Sequence, residues 1–257
     1  MKPPVVIIGI GQLASVFAHG LLRSGHAVYP VNRGVTMHEM AQQIPRPALT
    51  LVAVAEGDLH SVLDGIPAPW RTRMALLQNE LLPRDWQQHR ITDPTVIAVW
   101  FEKKRGLDAR PILPTPVFGP AATMIQQALQ AIDISSRVIP DEDALLFELV
   151  RKNLYILTIN IAGIITGGTV RELWDQHHAL TLQVASEIIA VQQWLTGRVL
   201  PASQLIDGMI EAFDGDPQHL CMGRSALSRL QRALQHADAA GLAAPTLRGI
   251  AAQGSTA

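Results

Sequence analysis

The chain carries a single cysteine, Cys221. No intrachain disulfide can form, and no cysteine-based metal site either. A reducing cytoplasm fits that composition. Charged residues make up only 17% of the chain and the formal net charge is -1. That balance gives no reason to expect a nucleic-acid or anionic-membrane partner. Long hydrophobic runs are absent as well. The longest, Leu154 to Thr166, is too short to cross a bilayer and contains Asn160. The start, Met1-Lys2-Pro3-Pro4-Val5, runs directly into an apolar stretch, so no signal peptide is expected. Nine histidines occur without cysteine or clustered acids at ligand spacing, so no metal site is expected. No G-x-S-x-G nucleophile turn is found.

What is present suits a globular protein with a sizeable core. The chain has 257 residues, 48% of them apolar, which is enough for two domains. The most informative stretch is Val5 to Arg33. Val5-Val6-Ile7-Ile8 is a β-branched apolar run, and Gly9-Ile10-Gly11-Gln12-Leu13-Ala14 follows at once. An apolar-periodic segment, Leu13 to Leu22, ends at Ser24-Gly25-His26, and Ala27 to Val31 is a second apolar run. The order is strand, glycine turn, helix, strand: one βαβ unit of about 30 residues.

The glycines have a chemical reason to be there. Gly9 lets the chain turn off the strand, and Gly11 lets a pyrophosphate approach the backbone. Ala14 is small enough for close helix–strand packing. The helix that opens at Gln12 and Leu13 points free N–H groups and its positive end at the phosphates. At the end of the second strand, a site for NAD places an acid against the ribose 2′-hydroxyl. Here the residues are Val31-Asn32-Arg33-Gly34, and no acid occurs between Gly25 and His38. Arg33 can pair with a 2′-phosphate through its planar fork, and Asn32 can bond the same phosphate or the ribose. The cofactor expected is NADP(H), bound by Gly9, Gly11, Gln12, Leu13, Ala14, Asn32 and Arg33. The alternative for Arg33 is a solvated loop residue.

Further along, Met37 to Ile44 reads as a short helix, stopped by Pro45-Arg46-Pro47. Leu49 to Ala55 reads as a strand buried on both faces. Asp58 is expected to cap the helix Leu59 to Leu63. Met74 to Leu77 and Val96 to Trp100 are further strands, with the charged turn Glu102 to Gly106 after the second. Pro111, Pro114, Pro116 and Pro120 predict edge strands and turns rather than a central strand. Ala121 to Ile132 has helical spacing, and Ile134 to Ile139 reads as a last strand.

The composition changes after Pro140. From there the pattern predicts helices at about 142–165, 178–196, 202–213, 223–240 and 245–252. The fold class expected is an N-terminal α/β domain of the doubly wound Rossmann type, residues 1–140, followed by an all-α helical domain, residues 141–257.

Lysine is scarce: Lys2, Lys103, Lys104 and Lys152 are the only four, against a total of 21 basic residues. Lys152 is the one lysine in the helical half. Lysine differs from arginine in that its proton can be given up. Lys152, Ile156 and Asn160 share one face at i, i+4 and i+8 of an apolar helix. A lysine and an asparagine on such a helix need partners or a wet cleft, and a cleft between domains would supply both. The competing reading lets Lys152 snorkel to the surface beside Arg151 while Asn160 ties a helix contact.

Taken together, Gly9-x-Gly11-x-x-Ala14, Arg33, Asn79 after a later strand, Lys152…Asn160…Glu172-Leu173 and Gly241-Leu242-Ala243-Ala244-Pro245 resemble the ketopantoate reductase (2-dehydropantoate 2-reductase) family. The resemblance implies a Rossmann domain, a helical substrate and dimerisation domain, and a site between them. It implies hydride transfer from NADPH to a keto group. It also implies that Lys152 is the acid, Asn160 a substrate or helix-packing residue, and Asn79 a contact on the nicotinamide side. Some family positions differ. An asparagine of the helix motif is replaced by Ile156, the late glutamate falls near Ser225, and the glycine after Asn79 is Glu80. The lysine expected at the end of the Leu49–Ala55 strand is missing. The function expected is an NADPH-dependent reductase acting on a small keto compound, with a second copy of the chain as the other candidate partner. The alternative is a non-catalytic NADP(H)-binding or redox-sensing protein of the same descent.

Overall fold

The computed structural model describes residues 2–32 and 34–254. The chain divides into two compact units, Met1–Leu149 and Val150–Ala257. The first contains β1 (Lys2–Ile8), α1 (Gln12–Arg23), β2 (His26–Val31), α2 (Met37–Gln43), β3 (Leu49–Val52), α3 (Leu59–Asp64), β4 (Met74–Leu76), α4 (Pro83–Gln87), β5 (Thr95–Ile97), β6 (Phe101–Glu102), β7 (Arg110–Pro111), β8 (Thr115–Phe118), α5 (Ala122–Gln130) and β9 (Ser136–Val138).

Seven strands form one sheet in the order β2-β1-β3-β4-β5-β8-β9. All neighbours run parallel except β5 and β8. Val5, Val6, Ile7 and Ile8 are all buried, as the unbroken apolar run of β1 requires of a strand covered on both faces. One face, with Val5, Ile7, Leu49, Leu51 and Ile97, packs with Phe17 and Leu21 of α1 and Ile125 and Leu129 of α5. The register of β1 on β2 slips between Lys2 and Val5, at Pro3-Pro4, two residues with no N–H to give to a ladder. α1 and α5 meet at Gly20, where a side chain would run into the carbonyl of Ala128.

Several expectations need correction here. Pro116 sits in β8, which lies inside the sheet between β5 and β9. The sheet accommodates it because its partner across the antiparallel pair is Ala98, one residue beyond the end of β5. Ala98 still donates its N–H to the Pro116 carbonyl at 3.0 Å, and the bond that proline cannot return falls where the ladder stops. Asp58 stands before α3 in helical backbone geometry and makes no side-chain cap bond. The short helix α4, opened by Pro83 and by Asp85 accepting from the Leu82 N–H at 2.7 Å, was not expected from the periodicity.

α3 is tied to the segment before β5 by a chain of side chains. His89 Nδ1 lies 2.8 Å from Asp64 Oδ1, and His89 Nε2 lies 2.9 Å from His60 Nδ1. The two ring centres are 5.2 Å apart, which is what an end-on arrangement gives once the ring radii are added to the nitrogen separation. A single proton between the two nitrogens makes this a linear N–H···N bond.

α6 (Glu142–Thr166) crosses from the first unit into the second. It is followed by α7 (Val170–Gln176), α8 (His178–Thr196), α9 (Ala202–Gly215), α10 (Ala226–Ala240) and α11 (Pro245–Gly254). No described helix is long and apolar enough to cross a membrane. α7 was not expected. It starts in a capping box in which Thr169 and Glu172 bond each other's backbone N–H groups. Those bonds hold the Glu172 carboxyl below its ordinary range. α10 begins at Ala226, later than expected, with Ser225 in the capping position but making no side-chain cap bond.

Polar residues pin the helices together. Buried Arg151 donates to the Gly208 carbonyl at 3.0 Å and pairs with Glu211 at 2.7 Å, joining α6 to α9. Asn153 donates to Gln192 of α8 at 3.1 Å. Glu187 of α8 accepts from the N–H groups of Thr246 and Leu247, at 2.8 and 2.9 Å, and so closes the start of α11.

Candidate dinucleotide site

β1, β2 and β3 are parallel and adjacent, but the chain goes from β1 outward to β2 and then returns to the other side of β1 for β3. The reversal is a topological switch point, and ligands of such sheets bind outside the carboxyl ends of the strands there. A cleft of about 1100 Å³ opens at that place. Ile8, Val31 and Ala53 line its floor, at or just past the ends of the three strands. Val54, Met37 and Val62 add apolar wall.

Gly9 and Gly11 both line the cleft, for different reasons. Gly9 has φ +86°, and a Cβ there would lie 2.8 Å from the Ala53 carbonyl oxygen. Glycine is required because the chain turns back over the end of β3 with no room for a side chain. Gly11 precedes α1 in extended geometry, and a Cβ there would meet nothing within 4 Å. The fold itself does not need glycine at that position; the empty space belongs to the cleft. Gln12 and Leu13 begin α1, and Ala14 is buried in the core beneath the turn. Gln12, Leu13 and Ala14 are not among the cleft's lining residues, which on this side end at Gly11, the residue before α1.

Asn32 lines the cleft at the end of β2. Its Oδ1 accepts from the Gly34 N–H at 3.0 Å. Arg33 lies outside the described residues. Thr36 and Glu39 form a capping box at α2, which holds the Glu39 carboxyl below its ordinary range. Asn79 follows β4 and is not part of the cleft's lining; its amide donates to Glu56 at 3.0 Å. Glu80 next to it has φ +60°. The left-handed turn that glycine would favour is therefore kept with a side chain in place. Beside it, Gln78 donates to the Val52 carbonyl at 2.8 Å and fastens β4 to the end of β3.

The remaining sequence candidates lie on α6 in the second unit. Lys152 is only 4% exposed, so it does not lie along the surface as a solvated lysine would. Asn160 is 5% exposed; it donates to the Ile156 carbonyl at 2.9 Å and accepts from the Gly223 N–H at 3.1 Å. Those contacts suit helix packing, one of the two roles expected for it. Cys221 is buried, and loss of water around it pushes its thiol up to about 12. That favours the neutral thiol over the thiolate at neutral pH.

Sequence reasoning passed over Thr36, His38 and Gly65 and took Asp58 for a helix cap; all four line the cleft. A T-x-x-E box ahead of a short helix was the available signal for Thr36. Nothing in the local pattern marked His38.

No protein-family model matches the chain, and no curated protein matches it by sequence. Solved structures do match, at low identity and over nearly the whole length. A PanE/ApbA family ketopantoate reductase from Ralstonia eutropha JMP134 is 15% identical, with a TM-score of 0.70 over 98% of this chain and 97% of that one. The chain has the fold of the ketopantoate reductases. A dimeric ketopantoate reductase from Staphylococcus aureus gives 16% identity and a TM-score of 0.69, covering 98% of each chain. D-mandelate dehydrogenase in complex with NADH gives 14% and 0.69, over 98% of this chain and 99% of that one. The architecture of these proteins is the one found here: a mixed, mainly parallel sheet with helices, followed by an all-helical region.

Proposed function

We propose that the protein is a divergent ketopantoate-reductase-type enzyme that uses NADPH to reduce a small keto compound. The observation that carries the reading is the pair of glycines at the switch point. One is demanded by the fold; the other, the residue just before α1, lines the cleft with open space where a side chain would stand. The residues fit a dinucleotide: a close backbone approach at Gly11, a helix N-terminus for a pyrophosphate, apolar walls, and no acid at the end of β2. Asn32 and Arg33 would hold the 2′-phosphate, and Asn79 would stand towards the nicotinamide.

When bound, NADPH supplies a hydride to the carbonyl carbon. The chain supplies the rest. Lys152 holds a proton, gives it to the carbonyl oxygen and so completes an alcohol. Its positive charge stabilises the oxygen as negative charge builds there. A buried lysine with little water around it suits this task better than a solvated one. Asn160 keeps α6 and the segment at Gly223 in register and is not assigned to the chemistry.

The test is NADPH oxidation, followed by absorbance, with a panel of 2-keto acids. Lys152→Ala is expected to keep NADPH affinity and lose turnover by roughly 10²–10⁴-fold, the usual worth of a positioned proton donor. Lys152→Met, closer in volume, guards against loss of folding in the first variant. Full activity in a folded variant removes Lys152 from the mechanism. A second reading, an NADP(H)-binding protein without turnover, is favoured by Ile156 and Ser225 at two family positions and by the contacts that use both ends of the Asn160 amide. Tight NADPH binding with no oxidation by any keto acid supports that second reading.

A further inference from the structure

The rim of the cleft from Asn32 to His38 runs along the carboxyl end of β2. In a doubly wound sheet the ribose of the adenosine half falls there. Several hydrogen-bond donors of the described rim residues are already used. The Gly34 N–H goes to Asn32 Oδ1 at 3.0 Å, and the Val35 N–H goes to the Asn32 carbonyl at 3.1 Å. The Thr36 N–H and hydroxyl both go to Glu39 Oε2, at 3.2 and 2.8 Å. Among the described residues of the rim, the side chains left to face a ligand as donors are the Asn32 amide and the His38 imidazole.

His38 is the second residue of α2 and lines the cleft. The Cα–Cβ bonds of a helix tilt towards its N-terminus, which at this position is the side of the loop. Glu39 is turned onto Thr36, and Asp58 lines the cleft from the segment before α3. An imidazole suits a phosphate monoester, because its N–H donates to a phosphate oxygen whether the ring is neutral or charged. A ribose hydroxyl in its place offers no charge to draw the ring in.

We propose that His38 is a specificity residue of this site, donating a hydrogen bond to the 2′-phosphate of NADPH and contributing nothing to NADH. The proposal rests on the dinucleotide reading above and adds a residue to it. His38 is exposed, and its replacement leaves the core intact.

The test is calorimetric titration of the full chain with NADPH and, separately, NADH, for the wild type, His38→Ala and His38→Gln, with circular dichroism to confirm folding. His38→Ala is expected to weaken NADPH by about tenfold or more, the size of one hydrogen bond to a charged group, with NADH changed less than twofold. His38→Gln, which keeps a neutral donor, falls between. Unchanged NADPH affinity in His38→Ala overturns the proposal and leaves the dinucleotide site standing. So does an equal loss for both coenzymes, or a wild type that prefers NADH. A wild type that binds neither coenzyme overturns the dinucleotide reading, and this proposal with it.

Discussion

Two glycines two positions apart have different reasons to be glycine. Gly9 has positive φ and sits against the Ala53 carbonyl, so its replacement strains the backbone and crowds β3 at once. Gly9→Ala is expected to lower unfolding stability by about 1–3 kcal/mol in urea denaturation, with or without a coenzyme. An unchanged midpoint would mean that the turn can open. The glycine pattern was legible in the sequence because its spacing repeats a known physical requirement. The burial of Lys152 was half legible: its isolation in an apolar helix pointed inward, but no pattern excluded the surface. The role of Asn160 was not decided by sequence, since its partner Gly223 is 63 residues away. Glu80 shows the limit from the other side. A left-handed turn that glycine would favour is held by a residue that gives no sign of it.

Elements declared themselves where the hydrophobic period was strong. β1 and β2 follow from short apolar runs, α1 and α9 from helical spacing, and α6 and α8 from long apolar stretches without proline. Elements failed to declare themselves where tertiary structure overrode local preference. Pro116 argued for an edge, yet β8 lies inside the sheet because the bond it cannot make falls past the end of β5. α7 is only seven residues long and rests on its capping box, which periodicity does not register. Gly20, inside α1, carried no signal in the sequence, and it marks the contact with α5. A methyl group there gains helix propensity and loses packing. Packing wins, since α1 and α5 have to separate to admit it. Gly20→Ala is expected to be destabilising by about 1–3 kcal/mol, read as a lower thermal midpoint. A raised midpoint would show that α5 slides away at little cost.

At the scale of the whole chain, the sequence carried the class of fold because that class rests on order: strand, glycine turn, helix, strand, then helices alone. Proteins 14–16% identical share it over nearly their full length, so few individual side chains are needed to specify it. The strand order, with its reversal between β1 and β3, was not readable from local pattern, because pairing joins residues distant in sequence. That reversal is what opens the cleft. Fold alone does not fix activity, so the account depends on what occupies the space over Gly11. The most direct measurement is the thermal midpoint of the wild type and of Gly11→Val, each with and without NADPH. A Cβ at Gly11 meets no protein atom within 4 Å, and on the proposed reading the valine side chain fills the path of the pyrophosphate. The account predicts equal midpoints without ligand and a rise on adding NADPH for the wild type alone. An equal rise in Gly11→Val, or none in the wild type, would contradict it.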